Sequence, residues 1–252
     1  MKTFVISLKR STDRRARITK TLGDANIEFE FFDAIDASTP NFKYSEKKAP
    51  KQTQLRFGYC LIENELACFA SHFSLWEKCV ALNEPILVFE DNCDLSPLFS
   101  ENQALFDQLV NKYHFIKLFS MFKKQYSPIE KINSTFEIAY YHDRTCGIQS
   151  YLISPYAAKK FIKNANRFID PVDNYMEKPW RHGISTYSFK PDLVTRAKIE
   201  STIGSNRKVK AKSSIWRKAI IEIFRAYEEM RYKIENLKIK TKSIKISENY
   251  SK

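Results

Sequence analysis

The sequence predicts an α/β fold with a mostly parallel central sheet, followed by a basic helical tail. Three observations carry this reading. Short apolar runs alternate with segments of helical period, one of those runs ends in a cluster of acids, and the composition turns lysine-rich from about Thr202. At 252 residues the chain can build one large domain or two small ones. We place a catalytic-type domain at 1–205 and a basic amphipathic tail at 206–252.

The elements follow in order. Thr3-Phe4-Val5-Ile6-Ser7-Leu8 is a buried-strand run, and Ser11 or Thr12 caps a helix reaching about Leu22. Phe29 to Ala34 is a second β-rich stretch, so the strand, helix, strand order predicts a parallel pair with a crossover helix. Pro40 to Gly58 is polar and without period, which predicts a long loop. Asn64 is placed to cap a helix from Glu65 to about Leu82, with Leu66, Phe69, Ala70, Phe73 and Trp76 on its apolar face. Pro85 stops it, and Ile86-Leu87-Val88-Phe89 is a short strand that runs into Glu90-Asp91-Asn92. Ser96-Pro97, Ser154-Pro155 and Asp170-Pro171 each set a capping residue before a proline and predict helix starts. Phe115–Phe119, Phe136–Tyr141, Gln149–Ile153 and Thr186–Phe189 read as further strands. In the tail, Trp216, Ile220, Ile223, Tyr227, Met230, Ile234 and Leu237 alternate spacings of four and three, the seam of a heptad helix.

Composition excludes several classes. The five glycines are scattered, so neither a glycine-rich phosphate loop nor a dinucleotide fingerprint is present. The five cysteines form no Cys-x-x-Cys pair and read as free thiols of a reducing compartment. The N-terminal apolar run is too short for a signal peptide and no run reaches the roughly 20 residues of a spanning helix, so a cytoplasmic protein is expected. Residues 201–252 carry a net +9 of the chain's +13. The charge therefore belongs to the tail, and with no RRM, KH, zinc-finger or basic-zipper signature, nucleic acid is not the expected partner. The tail is expected to lie on an anionic membrane surface, here the cytoplasmic face of the inner membrane, or to pack through its seam against the catalytic domain or against a second copy as a homodimer, and the two are compatible.

Glu90-Asp91-Asn92-Cys93-Asp94 closes a buried strand, where open α/β sheets bind ligands and where clustered oxygens can hold a hard divalent cation. Taken alone, such a turn also fits solvated acids. Context comes from the order of several blocks. Val5-Ile6-Ser7-Leu8, Lys9-Arg10-Ser11, Arg14-Arg15 and Phe31-Phe32-Asp33-Ala34-Ile35-Asp36 make the first. Glu65-Leu66-Ala67-Cys68-Phe69-Ala70-Ser71-His72 through Trp76 makes the second, and Phe89-Glu90-Asp91-Asn92 the third. Gly147 to Ser154 with Ala157-Ala158-Lys159, and then Pro171-Val172-Asp173, complete the series. Together these resemble the family 25 glycosyltransferases, the lipooligosaccharide galactosyltransferase family, over roughly the first 200 residues.

The resemblance implies a GT-A type fold and transfer, with inversion, of a hexose to a hydroxyl of a lipooligosaccharide or lipopolysaccharide core acceptor. The donor it implies is UDP-galactose, with UDP-glucose as the alternative. It also implies a divalent metal, manganese, at the acidic motif. Asn92 replaces the motif's second Asp, so one charged ligand is lost and the alternative of a non-catalytic saccharide- or partner-binding member stays open. Candidate donor-binding residues are Arg14 and Arg15 at a helix start, Asp33 and Asp36 for uracil or ribose, and Glu90 and Asp91. Candidate metal ligands are Asn92, Asp94 and His182. Asp173, in a first helical turn, is the candidate base for the acceptor hydroxyl. His72 alone reads as a packed core histidine; the resemblance places it in the site.

Overall fold

The computed structural model describes residues 1–199 and 215–249, with side chains to 239, so the 205/206 boundary lies outside the described residues. Strand β1 (Lys2–Ser7), helix α1 (Thr12–Gly23) and strand β2 (Glu30–Asp33) form the expected opening unit. The strands pair in parallel, with Phe4 opposite Glu30 and Ser7 opposite Asp33. Helix α1 is therefore the crossover.

The expected loop from Pro40 to Gly58 instead holds a 3-10 turn at Ser45–Lys47 and helix α2 (Pro50–Phe57). Pro50 starts α2, and Gly58, at φ +75°, ends it in the left-handed region. No period announced this helix because it buries one residue only, Thr53, whose hydroxyl donates to the carbonyls of Ala49 and Ile169.

Helix α3 (Glu63–Leu82) carries the predicted face, with Leu66, Phe69, Ala70, Phe73 and Trp76 all buried. Its start is set by Glu65, whose carboxylate accepts from the Ile62 amide at 3.1 Å, and not by Asn64. Strand β3 (Ile86–Glu90) then returns on the other side of β1, parallel to it, with Val5 opposite Phe89.

Beyond β3 come β4 (Cys93–Leu95), α4 (Phe99–Asn102), α5 (Phe106–Tyr113) and β5 (Phe115–Lys117). Strands β6 (Tyr126–Lys131), β7 (Glu137–Tyr141) and β8 (Ser150–Ile153) precede α6 (Pro155–Asn164), α7 (Val172–Met176) and α8 (Pro179–His182). The described chain finishes with β9 (Tyr187–Lys190), β10 (Val194–Arg196) and α9 (Ile215–Asn249). Ser154 caps α6 as expected, its hydroxyl accepting from the Ala157 amide at 3.3 Å. Asp170 does not cap α7; its carboxylate is buried against Lys178 at 2.7 Å and Arg181 at 3.3 Å.

The main sheet runs β2-β1-β3-β8-β5-β9-β7-β6. The pairings β1–β2, β1–β3 and β5–β9 are parallel, whereas β3–β8, β5–β8, β7–β9 and β6–β7 are antiparallel. The sheet is thus mixed, which corrects the expectation of a mostly parallel one. A short apolar run such as Gln149–Ile153 reports burial on both faces and nothing about direction. β8 runs antiparallel between β3 and β5.

Alternation along β1 sorts the two faces. Phe4 and Ile6 join one core with α3, α6 and α7, while Val5 joins the other with α1 and α5. Helices therefore cover both faces of β1 and β3, which is what leaves a crevice at the carboxyl ends of those strands.

Helix α9 lies against α2 and α8. Tyr232 donates to the Glu177 carbonyl at 3.0 Å, Asn236 donates to the His142 carbonyl at 2.9 Å, and Glu228 pairs with Lys178. The predicted seam is on the other side. Trp216, Ile223, Tyr227, Met230 and Leu237 are all exposed. No described helix is long and apolar enough to cross a membrane.

Candidate active site

The carboxyl ends of β1 and β3 open into a cleft with about 720 Å³ of empty space, open solvent included. Its floor is Ile6, Ser7 and Leu8, and one wall is the α3 face carrying Cys68, Ser71 and His72. Arg10, Arg14 and Asp36 lie along the opposite rim, and Glu90, Asp91 and Asn92 close the end. The topology places it where the chain turns one way through α1 to β2 and returns the other way through α3 to β3.

Of the predicted residues, the cleft brings together Arg14, Asp36, His72, Glu90, Asp91 and Asn92. Asp91 is buried and fully engaged. Its Oδ2 accepts from the Ser7 hydroxyl at 2.6 Å, and its Oδ1 pairs with Arg14 at 2.6 Å. Burial pushes the Asp91 carboxyl pKa up, with the Ser7 hydroxyl and the Arg14 charge pulling against it. Arg10 binds Asp36, Nε to Oδ2 at 2.5 Å, and that hydrogen bond holds the Asp36 carboxyl well below the usual carboxylate range.

Five predicted residues are elsewhere, Asp173 among them. Arg15 donates to the Ser7 carbonyl at 2.9 Å and to Asp33 at 2.5 Å, so this pair staples the end of β1 to the end of β2 outside the cleft. Asp94, on β4, pairs with Arg17. His182 is buried under Phe161 and Tyr175, with Nε2 donating to the Tyr175 carbonyl at 3.1 Å and Nδ1 accepting from the Ile184 amide at 3.2 Å. Both its ring nitrogens are spent on the backbone, and burial pulls its pKa down to about 3. Asp94 and His182 are therefore not part of a metal site with Asn92, because each is committed to a different partner.

His72 is set by a relay that no spacing could reveal. The Trp76 indole donates to the Tyr151 hydroxyl at 3.2 Å, and that hydroxyl lies 2.9 Å from His72 Nδ1. The hydroxyl accepts from the indole, which only donates, and keeps a proton that it can give to Nδ1. With Nδ1 accepting, a ring proton sits on Nε2, which is buried, has no hydrogen bond, and lies 3.5 Å from Glu90 Oε1. Cys68, one turn earlier on α3, brings its sulfur within 4.8 Å of the His72 and Glu90 ligand atoms.

Arg17 was missed although it fixes the whole acidic turn. Its guanidinium donates to the carbonyls of Asp91 at 2.9 Å and Cys93 at 2.7 Å as well as to Asp94. The signal was available: Arg14 and Arg17 stand three apart, on one helix face.

Asp173 sits outside the cleft, on α7. It is half-buried, and burial raises its carboxyl pKa most, followed by the nearby charge of Glu177; the amides of Asn174 and Gly147 pull it back. Gly147 begins the short stretch to Gln149, whose amide nitrogen donates to Glu90 at 3.2 Å. A side chain at Gly147 would meet the Phe119 ring at 2.8 Å, and its φ is +74°. A buried ion pair anchors this loop. Lys117 and Glu177 bind each other, Glu177 accepts from the Thr145 and Cys146 amides, and Lys117 donates to the Cys146 carbonyl at 2.7 Å. Asp173 and Glu90 are thus linked by one rigid loop.

The cleft holds two guanidinium groups and three carboxylates. A diphosphate entering it would add negative charge to a site that is already net negative, so a bound cation suits its chemistry. With Asp91 engaged and Glu90 Oε2 accepting from Gln149, the oxygens left to hold one are Glu90 Oε1 and the Oδ1 of Asn92, which is buried without a hydrogen-bond partner. Such a pair fits a hard divalent ion that takes its remaining ligands from phosphate and water.

Comparison with known proteins agrees with the geometry. The profile of glycosyltransferase family 25 (LPS biosynthesis protein) matches residues 1–176. The lipooligosaccharide biosynthesis protein lic2B of Haemophilus influenzae is 33% identical over 165 residues, 62% of this chain and 60% of its own length. The lacto-N-neotetraose biosynthesis glycosyltransferase LgtE of Neisseria gonorrhoeae is 31% identical over 215 residues, 78% of this chain and 74% of its own. The inactive glycosyltransferase 25 family member 3 of Mus musculus is 32% identical over 136 residues, 51% of this chain and 23% of its own. The chain thus spans 60% or less of the length of two of these three relatives. A matched profile that contains the α1 arginines, the α3 histidine and the acidic turn shows that the chain belongs to glycosyltransferase family 25.

Proposed function

We propose that this glycosyltransferase moves a hexose from a UDP-sugar, UDP-galactose first and UDP-glucose as the alternative, to a hydroxyl of a lipooligosaccharide core, with inversion on a GT-A type scaffold. The observation that carries the reading is the cleft at the ends of β1 and β3, where Arg10 and Arg14 face Glu90 and Asn92. Arg10 is 65% exposed and can swing from Asp36 to a phosphate oxygen without unfolding anything. Asp36 is then released to accept from a ribose hydroxyl. Arg14 keeps Asp91 in place, and Asp91 through Ser7 holds the end of β1, so these two shape the pocket more than they touch the donor.

Glu90 and Asn92 would hold the divalent cation, manganese, which when bound would neutralise the diphosphate as it leaves. Gln149 holds the Glu90 carboxylate through its side-chain amide, and His72 presents Nε2–H beside the other oxygen. Asp173 is the base in this reading. Its raised pKa makes it a better proton acceptor than an exposed carboxylate, and the Lys117–Glu177 anchor keeps it placed.

Asn92 supports a second reading, a non-catalytic member that binds saccharide. One experiment separates the two: incubate the full chain with UDP-galactose or UDP-glucose, manganese and truncated lipooligosaccharide, and follow the acceptor mass. A gain of one hexose supports the transferase; donor binding without any gain supports the non-catalytic reading.

Helix α9 supports a peripheral place on an anionic lipid surface at the cytoplasmic face of the inner membrane. Its exposed seam is bordered by Arg217, Arg231, Lys233 and Lys238, with no acid at the bordering positions. The same basic borders would repel each other across a homodimer seam. Sedimentation with anionic but not neutral vesicles at low salt is the expected result, and no sedimentation with either would contradict it.

A further inference from the structure

A second cleft lies between α2 and α9, with about 640 Å³ of empty space, open solvent included. Arg56, Arg144 and Arg225 line it, together with the rings of Phe57, Tyr59 and Phe224. Its single acid, Glu228, is already neutralised by Lys178, which is itself fully buried. Arg225 reaches an exposed Glu222 at 2.6 Å. Arg56 has one partner in view, the face of Phe224 at 5.6 Å. Arg144 is half-buried, and among the described residues its guanidinium has no hydrogen bond and no ion pair. Burial opposes its charge, but the nearby Tyr232, Glu228, Cys146 and Asp143 favour it, so the guanidinium stays charged with its donors free for an incoming anion.

Position adds to composition. Asn174 lines this cleft and directly follows Asp173. Burial pushes the Tyr59 phenol up to about 12, with the charges of Glu65, Asp170 and Asp173 adding to it. Planar guanidinium groups match phosphate and carboxylate oxygens in pairs, and aromatic rings cover the apolar face of a sugar. Phe224, Arg225 and Glu228 come from α9, beyond the residues matched by the family profile. Helix α9 therefore supplies part of the lining of this cleft.

We propose that this cleft binds the acceptor through an anionic group on its sugar, phosphate or carboxylate, and leads the reacting hydroxyl toward Asp173. The inference rests on the transferase reading and adds the acceptor's chemical class to it. A neutral oligosaccharide would leave Arg144 unpaired, so the site discriminates against it.

The test uses the full chain with four probes: glucose 6-phosphate, glucuronic acid, glucose and inorganic phosphate, titrated by ligand-observed NMR with UDP titrated separately. The expected result is binding of glucose 6-phosphate or glucuronic acid at least roughly tenfold tighter than glucose, a difference of about 1.4 kcal/mol. Whichever of the two binds tighter tells phosphate from carboxylate, and inorganic phosphate is expected to bind more weakly than either. UDP should not displace them. Arg144→Gln and the exposed Arg225→Gln should each weaken the acidic sugar roughly tenfold and twofold or more, with UDP affinity and melting temperature unchanged. Arg225→Gln keeps the test valid if Arg144→Gln fails to fold. Equal affinity for glucose and the acidic sugars, displacement of the acidic sugars by UDP, or no effect of either folded variant would overturn the inference. Failure of the wild type to bind UDP would count against the transferase reading instead, while charge-dependent sugar binding would still support the cleft.

Discussion

Replacing Tyr151 with Phe deletes one oxygen from a fully buried side chain and leaves two polar groups without their partner. The ring itself stays packed edge-on against Phe115, with centroids 5.6 Å apart, so the loss is one of hydrogen bonding and hardly of packing. The hydroxyl serves the Trp76 indole at 3.2 Å and His72 Nδ1 at 2.9 Å, and both residues are completely buried. An orphaned buried donor or acceptor costs roughly 1–3 kcal/mol, so the pair should cost about 2–6 kcal/mol. That is a large share of the roughly 5–15 kcal/mol that holds a domain folded. Urea unfolding should show a lower midpoint with an unchanged m-value. The relay also fixes the His72 tautomer, so Tyr151→Phe should lower turnover about tenfold even where the protein is folded, as expected when a positioned donor is lost. A stability loss below about 0.5 kcal/mol would refute the shared-hydroxyl relay, because a surface-like cost is not compatible with two buried orphans.

Three other predictions follow from neighbouring geometry. Asn92→Asp restores a charged ligand beside Glu90 and should tighten manganese binding in the presence of UDP by about tenfold, read by metal titration; no change would mean that Asn92 does not face the cation. Asp173→Asn should cut turnover about 100-fold or more while UDP affinity stays within about twofold, and equal turnover would remove Asp173 from the role of base. His182 has a folded pKa of about 3 against an ordinary 6.5, so its contribution to stability is complete above pH 6.5 and is lost as pH falls toward 3. Between pH 6.5 and 4 the loss should reach about 3 kcal/mol, and His182→Asn should flatten the pH dependence of the urea midpoint over that range. A variant with the same pH profile as wild type would show that another group governs acid unfolding.

The sequence carried the left half of the fold well and the right half poorly, for identifiable reasons. β1, α1, β2, α3 and β3 follow from runs whose periods match their burial, as Leu66 to Trp76 show on α3. α2 escaped because it is nearly unburied, and β6 because its pattern is broken at Pro128, where the register with β7 shifts. The direction of β8 could not be read, since direction is a property of connections and not of side chains.

The site divided in a similar way. Arg14, Asp36, His72, Glu90, Asp91 and Asn92 were legible because they follow strand ends or face one helix side. Arg15, Asp33, Asp94 and His182 have the right chemistry and the wrong partners, and partners separated by many residues are not visible in spacing. The Lys117–Glu177 anchor under Asp173 joins residues 60 apart and left no local trace.

The tail shows both effects. Its heptad spacing correctly marked a helix, yet the seam residues Trp216, Ile223 and Met230 are exposed and the less regular face with Phe224, Glu228 and Tyr232 is the one that touches the domain. A helix that both docks and displays an apolar stripe needs two patterns, and the stronger one hid the weaker.

The most direct test of the central claim, that the crevice at the ends of β1 and β3 holds a nucleotide diphosphate, is calorimetric titration of UDP into the full chain with and without manganese, alongside Arg10→Gln. Arg10 is exposed, so its replacement leaves the fold intact. The account predicts UDP binding strengthened by manganese and weakened roughly tenfold by Arg10→Gln, the loss expected for one charge-assisted phosphate contact. No UDP binding under either condition, or equal affinity in the variant, would contradict it.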